Sequence, residues 1–177
     1  MSAAVPHITF PEGSALAAVA AEELTTHLAR LGGHALASVT IGHGAAGEGF
    51  DWSARGGAVT VTADGPQGAL HAVYDLLEAL GFAWPAPGDD MTVIPETPDE
   101  LPASRGRQSP AIAGRSLILG HHAFMADAAA WIRWAARNRL NTIFFHIDEH
   151  GAGLGAIPAR QWQAMRADAV ALARSFG

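Results

Sequence analysis

The sequence predicts an α/β chain in two parts: a small α+β part, with a mixed sheet and two helices on one face, then a strand–helix–strand–helix run. Three observations carry that expectation. Hydrophobic residues switch between strand and helix spacing along the 177 residues. The net charge changes sign part-way, inside a proline-rich stretch. After that stretch, two short runs are continuously apolar, as strands covered on both faces of a parallel sheet are.

Each element has its own signal. His7 to Phe10 reads as a short strand ended by Pro11. From Ser14 to Leu31, Leu16, Val19, Ala20, Leu24, Leu28 and Leu31 recur at helical spacing, and Gly32-Gly33 stops that helix. Ala35 to Ile41 is a second strand. Gly49 to Ser53 and Ala58 to Thr62 are two more, joined by a tight turn at Arg55-Gly56-Gly57. Asp64-Gly65-Pro66 starts a helix, with Asp64 as its cap and Pro66 in the first turn. Its stripe is Leu70, Val73, Tyr74, Leu77 and Leu80, and Gly81 closes it. Met91 to Ile94 is a last extended piece. In the second part, Gly114 to Leu119 is a buried strand, and residues 126 to 139 are a helix. That helix sets Trp131, Ile132, Ala135 and Ala136 inward, with Arg133 and Arg137 outward. Asn141 to Ile147 is another buried strand. Pro158 opens a helix with the stripe Trp162, Met165, Ala169, Leu172 and Phe176.

Composition excludes several chemistries. All eleven basic residues are Arg, and there is neither Lys nor Cys. A Walker A loop, Schiff-base chemistry and a pyridoxal phosphate anchor all need Lys. A thiol nucleophile, a disulfide, an iron–sulfur cluster and a thiolate zinc site all need Cys. A net charge of −6 disfavours nucleic acid as a partner. The longest apolar run, Ala15 to Ala21, is too short to span a bilayer, so no membrane partner is expected. Met1 to Phe10 lacks the features of a signal peptide, an expectation of cytoplasmic location if Met1 is the native start.

Charge also divides the chain. Residues 1–104 hold two Arg and thirteen carboxylates, a net −11, whereas residues 105–177 hold nine Arg and four carboxylates, a net +5. Opposite charges favour docking of the two parts, screened by salt. The sign changes within Pro95 to Pro110, where four prolines and no apolar periodicity give linker or surface-loop composition. The expected division is therefore 1–104, a linker at 105–110, and 111–177.

One motif is a decoy. Gly42-His-Gly44-Ala-Ala-Gly47 has the spacing of a dinucleotide-binding loop, comes after a strand, and has Asp64 about twenty residues on. The mechanism needs a helix that starts at the glycines and points its N-terminus at the pyrophosphate. The next residues, Glu48-Gly-Phe-Asp-Trp-Ser53, are too few and too glycine-rich for one. No cofactor is expected.

Ligands of parallel α/β folds bind beyond the carboxyl ends of the strands. The first strand of the second part ends in His121-His122. The second ends in His146, Asp148, Glu149 and His150. Four histidines and two carboxylates thus share one rim. The alternatives stay open at this point: His121 and His122 as caps of the next helix, His146 as a core histidine, Asp148-Glu149-His150 as a solvated turn. The His-x-Asp-Glu-His order lacks helical His-Glu-x-x-His spacing, so no metal is expected. Arg115, in an apolar setting near a strand start, is either paired with a carboxylate or aimed at a ligand. Trp52 and Trp84 are either packed or platforms for a sugar ring.

The run Gly68-Ala-Leu-His-Ala-Val-Tyr-Asp-Leu-Leu-Glu-Ala-Leu-Gly-Phe-Ala-Trp-Pro-Ala-Pro-Gly88 resembles the end of the small α/β domain that precedes the barrel in several glycoside hydrolases, among them the β-hexosaminidase and α-glucuronidase groups. Arg115-Ser-Leu-Ile-Leu119 and Trp131 to His146, with its Asn138-Arg-Leu-Asn141, resemble the start of that barrel: a first strand bearing an arginine, then a helix ending in Asn-(Arg/Lys)-Leu-Asn. The likeness covers residues 60–148 best. It implies an accessory α/β domain followed by the first two βα units of a (β/α)8 barrel. It further implies that Arg115 and His146 contact a sugar, with Asp148 and Glu149 at the acidic rim. Ser116 replaces the family's glycine, and the aspartate after the apolar run is missing. The catalytic carboxylates of such barrels lie on later strands, beyond Gly177. The expected substrate-binding set is therefore Arg115, His121, His122, His146, Asp148 and Glu149 on a carbohydrate, with a homo-oligomer formed through exposed barrel edges. The rivals are a non-catalytic binding or structural module, and a self-contained small α/β enzyme using the rim histidines as acid–base groups.

Overall fold

The computed structural model describes residues 6–31, 36–120, 126–145 and 159–177. Among them are four α-helices and two small sheets. The chain divides into two compact units, residues 1–85 with 92–111, and residues 86–91 with 112–177.

The first unit is built on a four-stranded sheet of β1 (His7–Thr9), β2 (Ser38–His43), β3 (Phe50–Arg55) and β4 (Ala58–Ala63), in the order β1-β2-β4-β3. β1, β2 and β4 run parallel, and β3 is antiparallel to β4. The sheet is mixed, as expected. Its two faces differ sharply. Val39, Ile41, Trp52, Val59 and Val61 are buried, while Thr40, Ser53, Thr60 and Thr62 on the opposite face are exposed. That alternation is the period-2 signature of a sheet covered on one side.

Helices α1 (Ala15–Leu28) and α2 (Pro66–Ala79) pack on each other and on the apolar face. Ser14 caps α1 by accepting from the Ala17 amide. The helix ends at Leu28; Gly32 and Gly33, its expected stop, lie outside the described residues. Asp64 does not cap α2. Gly65 holds that position without a side-chain bond, and the Asp64 carboxylate turns instead to Arg107. α2 ends in a Schellman turn: Gly81, at φ 100°, donates to Glu78 O at 2.9 Å, and Phe82 donates to Leu77 O at 3.0 Å. A non-glycine residue would be strained there. The turn delivers Phe82 and Trp84 into the core, where both meet the His27 ring edge-on. Trp52 and Trp84 are packed residues, not surface platforms.

The glycine-rich loop after β2 has a packing explanation. A Cβ on Gly44 would lie 2.6 Å from Asp64 O, and one on Gly65 would lie 2.6 Å from the Ala46 backbone. These glycines let the 42–49 loop and the 64–65 turn touch backbone to backbone.

Met91 to Ile94 is not a strand of the sheet. It makes one bridge, Val93 with Ala83, between a 3-10 turn at Asp89–Met91 and Pro95, and the side chains of Met91, Val93 and Ile94 stay exposed. The proline-rich stretch lies along the sheet. Phe50 and Gln108 exchange both backbone bonds, at 3.0 and 2.7 Å. Ala54 N–H donates to Ala103 O at 2.9 Å, and Arg105 N–H to Trp52 O at 3.0 Å, so residues 103–108 run alongside β3. Prolines at 102 and 110 bound this contact without interrupting it, because the bonded positions between them are not prolines.

The second unit holds β5 (Ser116–Leu119) and β6 (Thr142–Phe145), parallel and in register from Ser116–Thr142 to Leu119–Phe145, with α3 (Ala128–Arg137) connecting them and α4 (Ala159–Ser175) after them. Ile132, Ala135 and Ala136 are buried, as expected, but Trp131 is only half-buried, edge-on to Trp134. Arg137 does not point outward. It is 7% exposed and donates to Asp89 Oδ1 at 3.0 Å, because residues 86–91 belong to this unit and supply a carboxylate. The start of α4 at Pro158 lies outside the described residues.

Candidate functional site

β5 and β6 end together at Leu119 and Phe145. Leu119 and Gly120 are buried. His121, His122, His146, Asp148 and Glu149, with His150, lie outside the described residues.

Arg115 lies within the described residues. It stands at the amino end of β5, and a four-residue strand at about 3.3 Å per residue separates it from the rim end. Its Nε–H donates to Arg139 O at 2.7 Å and its Nη1 to Ile112 O at 2.8 Å. The guanidinium therefore works on main-chain carbonyls at the strand entrance. Asn141, just before β6, accepts from the Arg115 amide at 3.0 Å and donates to Ala113 O at 2.6 Å.

The two faces of the β5–β6 pair differ. Ile118 and Phe144, directly opposite in the register, are 64% and 55% exposed. On the other side, a cleft of about 270 Å³ opens between α3, β6 and α4, lined by Ile132, Leu140, Ile143, Phe145, Val170 and Phe176 among others.

Buried polar groups of the first unit escaped the sequence reading. Asp75, 5% exposed, accepts from Trp52 Nε1–H at 2.8 Å and meets Arg105 Nε at 3.2 Å. His71 accepts at Nε2 from the Gln67 amide at 3.1 Å and turns Nδ1 towards Glu48 at 3.8 Å. His27 donates from Nδ1 to Glu23 O at 2.7 Å. The signal was available: His71 and Asp75 lie one helical turn apart among the apolar residues of α2. Arg107 bonds the Asp64 carboxylate, which holds that carboxyl below the ordinary aspartate range and the guanidinium above its own. Among the described residues no group of three or more His, Asp or Glu is placed to hold a metal ion, and no helix is long and apolar enough to cross a membrane.

No protein-family model matches the chain, and no curated protein matches it in sequence. Solved structures do. The N-acetyl-β-hexosaminidase of Streptomyces plicatus, in complex with Thio-NAglucal, superposes with a TM-score of 0.68 at 19% identity, over 97% of this chain and 40% of its own. The GH20 exo-β-N-acetylglucosaminidase of Vibrio harveyi gives 0.66 at 15% identity, over 97% and 31%. A GH138 enzyme targeting pectin rhamnogalacturonan II gives 0.66 at 17% identity, over 97% and 23%. The chain has a glycoside-hydrolase-like fold. It spans between 23% and 40% of the length of these three neighbours.

Proposed function

We propose that this chain is part of a carbohydrate-active enzyme that hydrolyses glycosidic bonds. Residues 1–104 are its accessory α/β domain, 105–110 the connection, and 111–177 the first two βα units of a (β/α)8 barrel. The observation that carries the reading is the parallel β5–α3–β6–α4 order with one sheet face left apolar and uncovered. A closed barrel fills its interior with such side chains, Ile118 and Phe144 here, and places its helices outside. The cleft between α3, β6 and α4 is the place for a further strand beside β6. The likeness to hexosaminidases over 97% of the chain supports the same reading.

On this reading His121, His122, His146, Asp148 and Glu149 line a sugar pocket at the carboxyl ends of the strands, and Arg115 serves them from the other end of β5. The two carboxyl groups of hydrolysis, or one acid and a substrate group, come from later barrel strands. The test is hydrolysis of an aryl N-acetyl-β-glucosaminide. Residues 1–177 alone are expected to be inactive, and the same chain joined to the sequence encoded after Gly177 is expected to be active. Activity of residues 1–177 alone overturns the assignment of the catalytic groups. The uncovered β5–β6 face and its edges are also where this chain, taken alone, associates with a second copy, since every copy offers the same surface.

A further inference from the structure

We infer that Arg115 and Asn141 are positioning residues: together they set the register of β5 against β6, and so bring the carboxyl ends of the two strands, Leu119 and Phe145, to one level. The register stands on hydrogen-bond geometry alone. Its consequence for a sugar pocket rests on the proposed function.

The apolar pattern of these strands specifies register weakly. β5 reads Ser-Leu-Ile-Leu and β6 reads Thr-Ile-Phe-Phe. A slip of one residue moves every side chain to the other face and uncovers Leu119, which burial rejects. A slip of two residues keeps every side chain of Ser-Leu-Ile-Leu and Thr-Ile-Phe-Phe on its own face, so burial does little to reject it. Something else has to reject it.

The strand entrance supplies that device. Asn141 Oδ1 accepts from Arg115 N–H, while Asn141 Nδ2 donates to Ala113 O. Both bonds are needed for the amide to be satisfied, and both are possible only where Asn141 faces the 113–115 backbone. The amides of Asn141 and Thr142 donate to Arg115 O at 3.0 and 3.2 Å. From the other strand, Arg115 Nε reaches Arg139 O at 2.7 Å. Arg139 adopts φ 58°, the one positive φ of a non-glycine residue among those described. That left-handed turn ends α3 and sends the chain into β6. Each residue of Asn138-Arg-Leu-Asn141 thus has a task. Asn138 ties back to Trp134 O at 2.9 Å, Arg139 makes the turn and presents its carbonyl, Leu140 lines the cleft, and Asn141 locks the partner strand.

The chain has no cysteine, so introduced pairs report register directly. Ile118 and Phe144 are register partners, and parallel neighbours about 4.8 Å apart are within disulfide reach. Ser116 and Phe144 are offset by two residues, which puts them about 8 Å apart, beyond it. In the otherwise unchanged 177-residue chain, I118C/F144C is expected to oxidise to an internal disulfide and S116C/F144C is not. Adding N141A is expected to lower the yield of the first roughly five-fold and to make the second form. R115K, whose ammonium cannot span the carbonyls that the guanidinium fork reaches, and N141D, which keeps the acceptor and loses the donor, are expected to fall between. These two milder variants carry the test if N141A does not fold. The parent pattern retained in N141D, R115K and any folded N141A overturns the inference. No sugar enters the measurement, so its failure is separate from failure of the carbohydrate reading.

Discussion

Trp52 and Asp75 meet inside the first unit, the indole Nε1–H donating to Oδ2 at 2.8 Å, and the same carboxylate receives Arg105 from the segment beside β3. One buried acid therefore ties together β3, α2 and the stretch that leads to the second unit. D75A leaves the indole donor buried without its acceptor and is expected to cost about 2–3 kcal/mol in urea unfolding. D75N keeps an acceptor oxygen, loses the ion pair, and is expected to cost roughly half as much. Equal, near-zero effects of both would show that the tie is idle.

Asp64 gives a signed pH dependence. Its carboxyl is held below its ordinary value by the Arg107 hydrogen bond, so the pair stabilises the fold above the unfolded pKa, about 4, and the contribution is lost as pH falls through the folded pKa. R107A is expected to change little at pH 7, since the pair is exposed, and to flatten the fall of the urea midpoint between pH 4 and 2. An acid limb identical in parent and variant would contradict the assignment.

Two glycines separate crowding from backbone conformation. Gly65 to Ala drives a methyl to 2.6 Å from the Ala46 backbone, and a cost of about 1–3 kcal/mol is expected. Gly56 to Ala meets nothing within 4 Å but sits at φ 56°, so a cost of about 1 kcal/mol is expected from the left-handed conformation alone. Thermal melts of the two single variants rank them.

Ile118 and Phe144 are opposite each other and largely uncovered, whereas Leu119 is fully buried. I118S/F144S is expected to shift unfolding by no more than about 0.5 kcal/mol per site. L119A is expected to cost about 2–5 kcal/mol. Light scattering of the same double variant at micromolar concentration is expected to show less self-association than the parent.

Much of the fold was legible because period and punctuation agreed. β4 alternates from Ala58 to Ala63, Ser14 caps α1, and Gly81 ends α2 where the stripe does. What failed depended on partners distant in sequence. Asp64 has the composition of a helix cap, but Arg107, 43 positions away, takes its carboxylate. Arg137 lies on the charged side of its helix, yet Asp89 folds over it. Residues 95–110 have the composition of a linker because four prolines punctuate them, while pairing depends only on the proline-free amides at 103–108. The expected rim residues, His121, His122, His146, Asp148 and Glu149, lie outside the described residues. Arg115 was legible as a buried-strand arginine with a partner to find. That its partners are carbonyls was not, since every residue has one.

The segment lying along β3 also bears on whether the four-stranded sheet can recruit foreign strands. An outermost strand with idle amides and carbonyls is a template on which foreign strands grow, the first step towards fibrils. Residues 103–108 occupy that template with a strip that can hardly be extended, bounded by Pro102 and Pro110. At the far margin β1 has only three residues, between Pro6 and Pro11. Templated growth on this sheet is thus interrupted on both sides by proline, and on the β3 side also by the half-exposed Arg105 and Arg107.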